Sequence, residues 1–546
     1  MAAKETTQIH DTSCSKMTIE FDRENRYVPS RSPSKRKPSG IETDSVSPSA
    51  SSQSSSRCVS EVGGRAHRHA SFSENSSEQG YDADDTPLAR ARLVSNMGRG
   101  KIASKDIFKA LEPDEDGKVD SVKLLEFLKR SGLGTDSVQR LDFNREIVHY
   151  TAQSAIATSD GRMRNTYKEL KSQDFVDFER FQTLKTSNEL VGKAFRGELA
   201  ISDFEAFCDV INDAYKDLED CTEGNNADYI PTLATVNPDY WAISVCSVHA
   251  QRYCIGDSKV PFCLQSTCKP LNYCMAVELH GKDKVHEHVG HEPSGRNFNE
   301  RVLLKPKGIP HNPLINAGAI MVTSMLHMDK SEWERYEAVT ETWQHLAGMS
   351  RRPHIQYDTF MGERATANRN YCLAYMMAEE NAFPPNTDIQ KTLESYFQWC
   401  SLELDCEQMS VVAATLANGG ICPKTGERVF SQDTVSSCLS MMMSCGMYDY
   451  SGEFAFTCGF PAKSGVSGVL CIVIPGVCGI ATFSPRLDAL GNSVRGVKFC
   501  QILSKRLPVH AFGGPQESVT DEVRVLRAIA LARMIDNAEL LVYLVD

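Results

Sequence analysis

Apolar positions follow three regimes along the 546-residue chain. Residues 1–95 show neither a helical nor a strand period. They are rich in Ser and poor in aromatics, and segments such as 49–56 cannot bury enough apolar surface to offset the entropy of ordering. They read as a disordered tail. Across 96–222 apolar residues recur at helical spacing: Ile107, Phe108 and Leu111 start one helix, and Val122, Leu124, Leu125, Phe127 and Leu128 build another. This stretch reads as a small helical accessory domain. Residues 223–510 alternate strands and helices. The pattern predicts a strand over 241–248, a hairpin of strands 469–474 and 479–483 turning at Pro475 and Gly476, and helices over 313–326 and 411–417. Strands from both ends of this segment meeting in one sheet give an α+β domain. Residues 511–546 read as a helical tail, with no ankyrin signature.

Between the first two predicted helices lies a sequence like half of an EF-hand loop. With Gly117 at loop position 6, Glu112, Asp114 and Asp116 fall at positions 1, 3 and 5. Position 12 is Lys123, where a calcium loop needs a bidentate carboxylate. The helix–loop–helix shape is expected without the ion, with 195–207 as its partner segment.

Charge narrows the function classes. There are 59 Lys+Arg against 71 Asp+Glu, a formal net charge of -12. Residues 1–95 carry 13 of each sign, so the whole excess lies in 96–546. Such a chain is not built to neutralise nucleic-acid phosphates or to sit on a membrane by basic charge. The most apolar run, 469–483, is too short and too broken to span a bilayer. The N-terminus has no apolar signal core, and Glu5, Asp11, Glu20 and Asp22 are out of place in a transit peptide. The basic cluster at 31–37 and the serine at 71 read as parts of a solvated tail. The 19 cysteines include no C-x-x-C pair, and many sit among apolar neighbours, as reduced buried thiols do.

The richest chemistry lies at 262–270 (FCLQSTCKP), which contains Ser266-x-x-Lys269. If a helix starts at Ser266, both side chains share a face. Pro270 fits the first turn, where its missing N–H costs nothing. A serine hydroxyl needs a base to act as a nucleophile. A lysine serves as that base only when burial and the helix end lower its pKa. Alone, S-x-x-K occurs by chance in a chain of this length. Two further segments support it. Residues 462–466 (AKSGV) resemble the K-[ST]-G strand of penicillin-binding acyl transferases, and 446–452 (GMYDYSG) offer Tyr448.

With those segments, 292–295 (EPSG), 311–319 (HNPLINAGA), 416–420 (LANGG) and 444–448 (SCGMY) complete a set that resembles the serine-dependent glutaminases, kidney/liver type. The likeness runs over roughly 100–510. It implies a β-lactamase-like catalytic domain over 223–510, behind the EF-hand-like helical domain at 96–222. It also implies hydrolysis of L-glutamine to L-glutamate and ammonia without a metal or other cofactor. Ser266 resembles the nucleophile and Lys269 its base. Tyr448 would assist proton transfer, and the backbone N–H of Val466 would join that of Ser266 in the oxyanion hole. Tyr229, Ser266, Asn316, Glu363, Asn370, Tyr396, Tyr448 and Val466 match the substrate-binding set. The chemistry suits a free amino acid, with Glu363 for its ammonium and Asn316, Asn370 and Tyr396 for its carboxylate. Read without the family, Asn316 would be a helix cap, Glu363 a surface carboxylate and Tyr396 a core aromatic.

The resemblance further implies a homo-oligomer, dimer or tetramer, phosphate or another anion as activator, and a mitochondrial location with the cytoplasm as the alternative. Two departures stand out. In the loop 295–305 (GRNFNERVLLK), Phe298 and Asn299 fit, but Glu300, Arg301 and Val302 do not, which puts regulation through that loop in doubt. The ankyrin repeats of the family type are not apparent. Two other readings remain at this stage, a β-lactamase or peptidase on the same scaffold and a scaffold or calcium-sensor protein.

Overall fold

The computed structural model describes residues 108–133 and 175–201 (apart from 110, 112, 188, 196 and 197), 203–295, 302–507 and 509–512. All of them belong to one compact unit, 81–546. The expected tail at 1–95, with its basic cluster and serine, lies outside the described residues, as do 296–301 of the loop and 513–546 of the helical end.

Five antiparallel strands build the main sheet: β1 (Ala242–Ser247), β2 (Arg252–Gly256), β3 (Ala462–Ser464), β4 (Val469–Ile474) and β5 (Cys478–Phe483). Their order is β2-β1-β5-β4-β3. The expected meeting of chain ends is the β1–β5 pair, with Ala242 opposite Phe483 and Ser247 opposite Cys478. The helices that matter are α1 (Phe204–Glu219), α2 (Lys269–His280), α3 (Asn316–Thr323), α4 (Tyr357–Thr366), α5 (Asn368–Glu379), α6 (Ile389–Cys400), α7 (Cys406–Ala417) and α8 (Val494–Arg506).

Apart from the edge strand β2, the strands are buried on both faces, so they read as apolar runs, yet period two still sorts their side chains. Ile243, Val245, Leu470, Ile472 and Ile480 join Ile211 and Leu218 of α1 and Phe499 and Leu503 of α8 in one core. Cys471, Val473, Ala481 and Phe483 join the larger core made by the helical cluster. The described cysteines are all free, and most are buried in these cores.

Helix α7 lies across β5, β1 and β4 on the helical side. It starts earlier than the expected 411–417 because Asp405 and Gln408 form a capping box. The predicted helix 313–326 is shorter, Asn316–Thr323. Gly479 sets how close α7 comes. A Cβ there would overlap the backbone of Ala413 and Ala414, so strand and helix touch main chain to main chain.

The N-terminal helical part has its own core of Phe108, Leu124, Leu128, Phe181, Val191 and Phe195. The strand Val119–Asp120 pairs with Phe175–Val176. Its partner is therefore not the expected segment 195–207, whose first residue ends the helix Glu189–Phe195 and whose last residues open α1. The exposed Asp114 carboxylate accepts from the N–H groups of Asp116 and Lys118 of its own loop at 3.1 and 2.8 Å. This part joins the sheet at the β1–β2 turn, where the Gln251 amide donates to Ser131 O and Ile201 O, both at 2.8 Å. No described helix is long and apolar enough to cross a membrane.

The α7 contact gives a direct test. Gly479→Ala forces helix and strand apart and should cost at least about 2 kcal/mol. Chemical denaturation of the full chain measures it, and an unchanged midpoint would contradict the main-chain contact.

Candidate active site

The Ser266-x-x-Lys269 motif sits where the sheet edge meets the helical cluster. Residues Gln265–Cys268 form a 3₁₀ turn, and α2 continues from Lys269 with Pro270 in its first turn. The helix thus begins a few residues later than a start at Ser266, but the N–H of Lys269 still bonds to Ser266 O, one turn back. Gln265 holds φ 48°, a left-handed conformation that a non-glycine residue adopts at a cost. This sharp entry presents Ser266 at the helix mouth. Ser266 is buried, and Lys269 is only 1 % exposed.

Strand β3 brings the second lysine. It pairs with β4, Lys463 opposite Cys471. Lys463 is fully buried. Its ammonium donates to Ser464 O at 2.8 Å and Gly446 O at 3.1 Å, and it lies 4.5 Å from the ring centre of Tyr448. Burial pushes Lys463 well below the usual lysine range, and the charge of Lys269 adds to this. Burial lowers Lys269 too, against the thiols of Cys400 and Cys268 and the carboxylate of Glu363, which pull it back up.

Tyr448 also holds positive φ, 53°. Its hydroxyl donates to Ser464 O at 3.0 Å and lies within hydrogen-bonding reach of Ser266. Burial raises its pKa, so it enters the site as a neutral donor. Val466 packs with Tyr448, Ile230 and Leu487. Among the described residues, the backbone N–H groups of Ser266 and Val466 donate to no carbonyl or side chain. Two such donors beside a serine suit an oxyanion.

The remaining residues close the opposite wall. Glu363 on α4 is buried, not a surface carboxylate, and burial raises its pKa to about 7. Gln265 donates to it at 3.1 Å, and Lys269 holds it down by charge. Lys269 Nζ donates to Asn316 Oδ1 at 2.6 Å, and Asn316 Nδ2 donates to Asn370 Oδ1 at 3.1 Å. Asn316 is the first residue of α3, whose cap position is Ile315. Tyr396 on α6 is buried beside Glu363 and Tyr229. Tyr229 is 54 % exposed along its length, yet its hydroxyl faces Tyr448 and Glu363 and is pushed up by burial.

All nine residues singled out from the sequence therefore converge. Lys269, however, has its bond to Asn316 and none to Ser266 among the described residues. Sequence reasoning gave Lys463 and Gln265 no role of their own. The signal for Lys463 lay in the AKSGV segment itself, while the reach of Gln265 to Glu363 spans 98 positions and leaves no local trace. No group of three or more His, Cys, Asp or Glu able to hold a metal occurs among the described residues.

A buried serine on a helix mouth, two lysines of lowered proton affinity, a neutral tyrosine and two free N–H groups are equipped for acyl transfer. On an antiparallel sheet backed by a helical cluster, they define a β-lactamase-like serine–lysine protein. A family model described as Glutaminase matches residues 224–512. The liver isoform of mitochondrial glutaminase from Rattus norvegicus is 45% identical over 367 residues, 66% of this chain and 61% of that protein. A glutaminase from Nostoc sp. is 42% identical over 303 residues, 56% of this chain and 89% of that protein. The solved structure of Mglu in its glutamate form is 36% identical with a TM-score of 0.53, covering 56% of this chain and 69% of that one. The chain belongs to the glutaminase family. It spans about three fifths of the length of the liver-type relative.

Lys463 offers a test of the buried charge. Lys463→Met exchanges a desolvated ammonium for an apolar side chain of similar length, so thermal stability should hold or rise. Turnover should fall by about 10²-fold or more, the range of a lost proton-transfer group. A large drop in Tm with turnover intact would reverse the assignment.

Proposed function

We propose that the chain hydrolyses L-glutamine to L-glutamate and ammonia. The observation that carries this reading is the placement of Ser266 between two buried lysines and a buried carboxylate, in a chain of this family. Ser266 Oγ attacks the side-chain amide carbon as its proton passes to Lys269. The amide oxygen gathers charge against the N–H groups of Ser266 and Val466. Lys463 and Tyr448 hold the hydrogen-bond frame through which the leaving nitrogen is protonated, and the C–N bond breaks to release ammonia. Water then cleaves the glutamyl ester, leaving its oxygen on glutamate and returning a proton to Ser266. Loss of one oxyanion donor in such a site costs about 2.7–4 kcal/mol in the transition state.

Substrate selection follows from charge. Glu363 pairs with the substrate ammonium, with Tyr229 at the entrance. Asn316, Asn370 and Tyr396 face its carboxylate. A β-lactam or peptide substrate lacks this ammonium-to-amide spacing, which favours glutamine over the β-lactamase reading. The name of the Mglu glutamate form supports a product of the same class.

The rest of the reading rests on the resemblance. We assign the catalytic domain to 223–510, behind an EF-hand-like helical domain at 96–222 that does not depend on calcium. The reaction needs no metal, phosphate or another anion acts as activator, and the working form is a dimer or tetramer. The name of the rat relative favours mitochondria, with the cytoplasm as the alternative.

Ammonia release from glutamine by the full chain is the first experiment. Ser266→Ala, folded by circular dichroism, should release none, and full activity would remove Ser266 as nucleophile. The pH dependence of binding gives a second check. In the free protein Glu363 titrates at about 7. Its carboxylate form pairs with the ammonium, so acid below pH 7 protonates the group that the substrate needs. KM for glutamine should therefore rise about tenfold per unit below that pH, and Glu363→Gln should raise KM and flatten the profile. A KM constant from pH 5.5 to 8 would rule out this role.

A further inference from the structure

Lys269 and two asparagines form a continuous line of hydrogen bonds, Lys269 Nζ to Asn316 Oδ1 at 2.6 Å and Asn316 Nδ2 to Asn370 Oδ1 at 3.1 Å. The direction of that line follows from donor chemistry. A lysine ammonium has donors only, so the amide that meets it must present its oxygen. Asn316 then has its NH₂ group on the other side, and Asn370 must present its oxygen in turn. One charged group thus sets the rotation of two amides on two helices, α3 and α5.

The reverse also holds. Asn316 touches the group that must take the proton of Ser266. A neutral amine that keeps one N–H on Asn316 Oδ1 is limited in the directions its lone pair can take, and that lone pair is what accepts a proton. We propose that Asn370 and Asn316 form an amide relay that orients the Lys269 amino group as the base, so that both residues act in the chemical step as well as in holding the substrate. The proposal rests on the glutamine-hydrolysis reading and adds a second duty to two residues of its binding set.

The relay is one of several influences on Lys269. Cys268 on its own turn, Cys400 on α6, Glu363 on α4 and Lys463 on β3 all act on its charge. Tyr448 and Tyr396 line the same site as neutral groups. Asn316 is the only one of these neighbours that bonds Nζ directly among the described residues.

The distinction between binding and chemistry lies in the split between KM and kcat. A residue that only holds the substrate carboxylate changes KM. A residue that sets the base changes kcat and its acid limb. Asn316→Asp keeps the shape and places a carboxylate against Nζ. It stabilises the ammonium, so Lys269 loses its proton only at higher pH. The acid limb of kcat for glutamine should move up by at least about one pH unit. Asn370→Ala removes the acceptor that holds the far side of the Asn316 amide, loosens its grip on Nζ, and should lower kcat about 10-fold or more, the size of effect expected from a misplaced group. Thermal unfolding of both variants checks the fold, and the second variant keeps the test open if the first does not fold. An acid limb at the wild-type pH in Asn316→Asp, or an Asn370→Ala effect confined to KM, overturns the relay. A wild-type chain that releases no ammonia overturns the reading beneath it, which is a separate and recognisable result.

Discussion

Two buried lysines meet at one site, and the site depends on that constraint. Neither Lys269 nor Lys463 has a carboxylate within salt-bridge distance among the described residues. Each amino group is held by neutral oxygens, Asn316 Oδ1 for one and two main-chain carbonyls for the other. Such oxygens orient an ammonium without fully compensating its desolvation. The proton affinity of both groups falls, which is what a lysine base needs near neutral pH. A carboxylate partner for either one would have made a more stable ion pair and a worse base.

The fold supplies this pocket through two rigid approaches. Lys463 comes on β3, at the edge of a sheet whose register is fixed through β4 and β5 to β1. Lys269 comes on the first turn of α2, held by the strained entry at Gln265. The two lysines are 194 positions apart in the chain, as the numbering gives. Their closeness depends on the packing of the helical cluster against the sheet, and α7 is the central contact of that packing. The close approach of Gly479 to Ala413 and Ala414 therefore bears on the geometry of the site.

Much of this was legible in the sequence, for identifiable reasons. The strand at 242–247 and the hairpin that turns at Pro475 and Gly476 follow from continuous apolar runs, whereas the half-exposed β2 was not expected because it has no such run. The turn into α2 follows from Ser266, Lys269 and Pro270, whose spacing carries its own helix-start logic. What stayed hidden was long-range. Nothing near Gln265 says that it reaches Glu363 on α4. Lys463 reads as one letter of a motif until its burial is known. The pairing of Val119–Asp120 with Phe175–Val176 went to the wrong segment because two-residue strands carry no usable periodicity. The start of α7 moved because a cap outside the apolar run, Asp405, sets it.

The charges of the pocket are interdependent, and that bears on how an empty site differs from a loaded one. Glu363 and Lys269 act on each other: the carboxylate raises the proton affinity of the lysine, and the lysine lowers that of the carboxylate. In the empty site an ionised Glu363 therefore favours the protonated form of Lys269, against the role proposed for it as a base. A cation that pairs with Glu363 cancels part of that field, and Lys269 gives up its proton more readily. Glutamine carries such a cation at its α-carbon, several bonds from the amide that reacts. A neutral amide of the same length would leave the field in place. On the proposed reading, the buried carboxylate would select for the ammonium twice, once by attraction and once by the state in which it leaves Lys269. Because Glu363 sits in a low-dielectric wall, this coupling is larger than the same distance would allow in water.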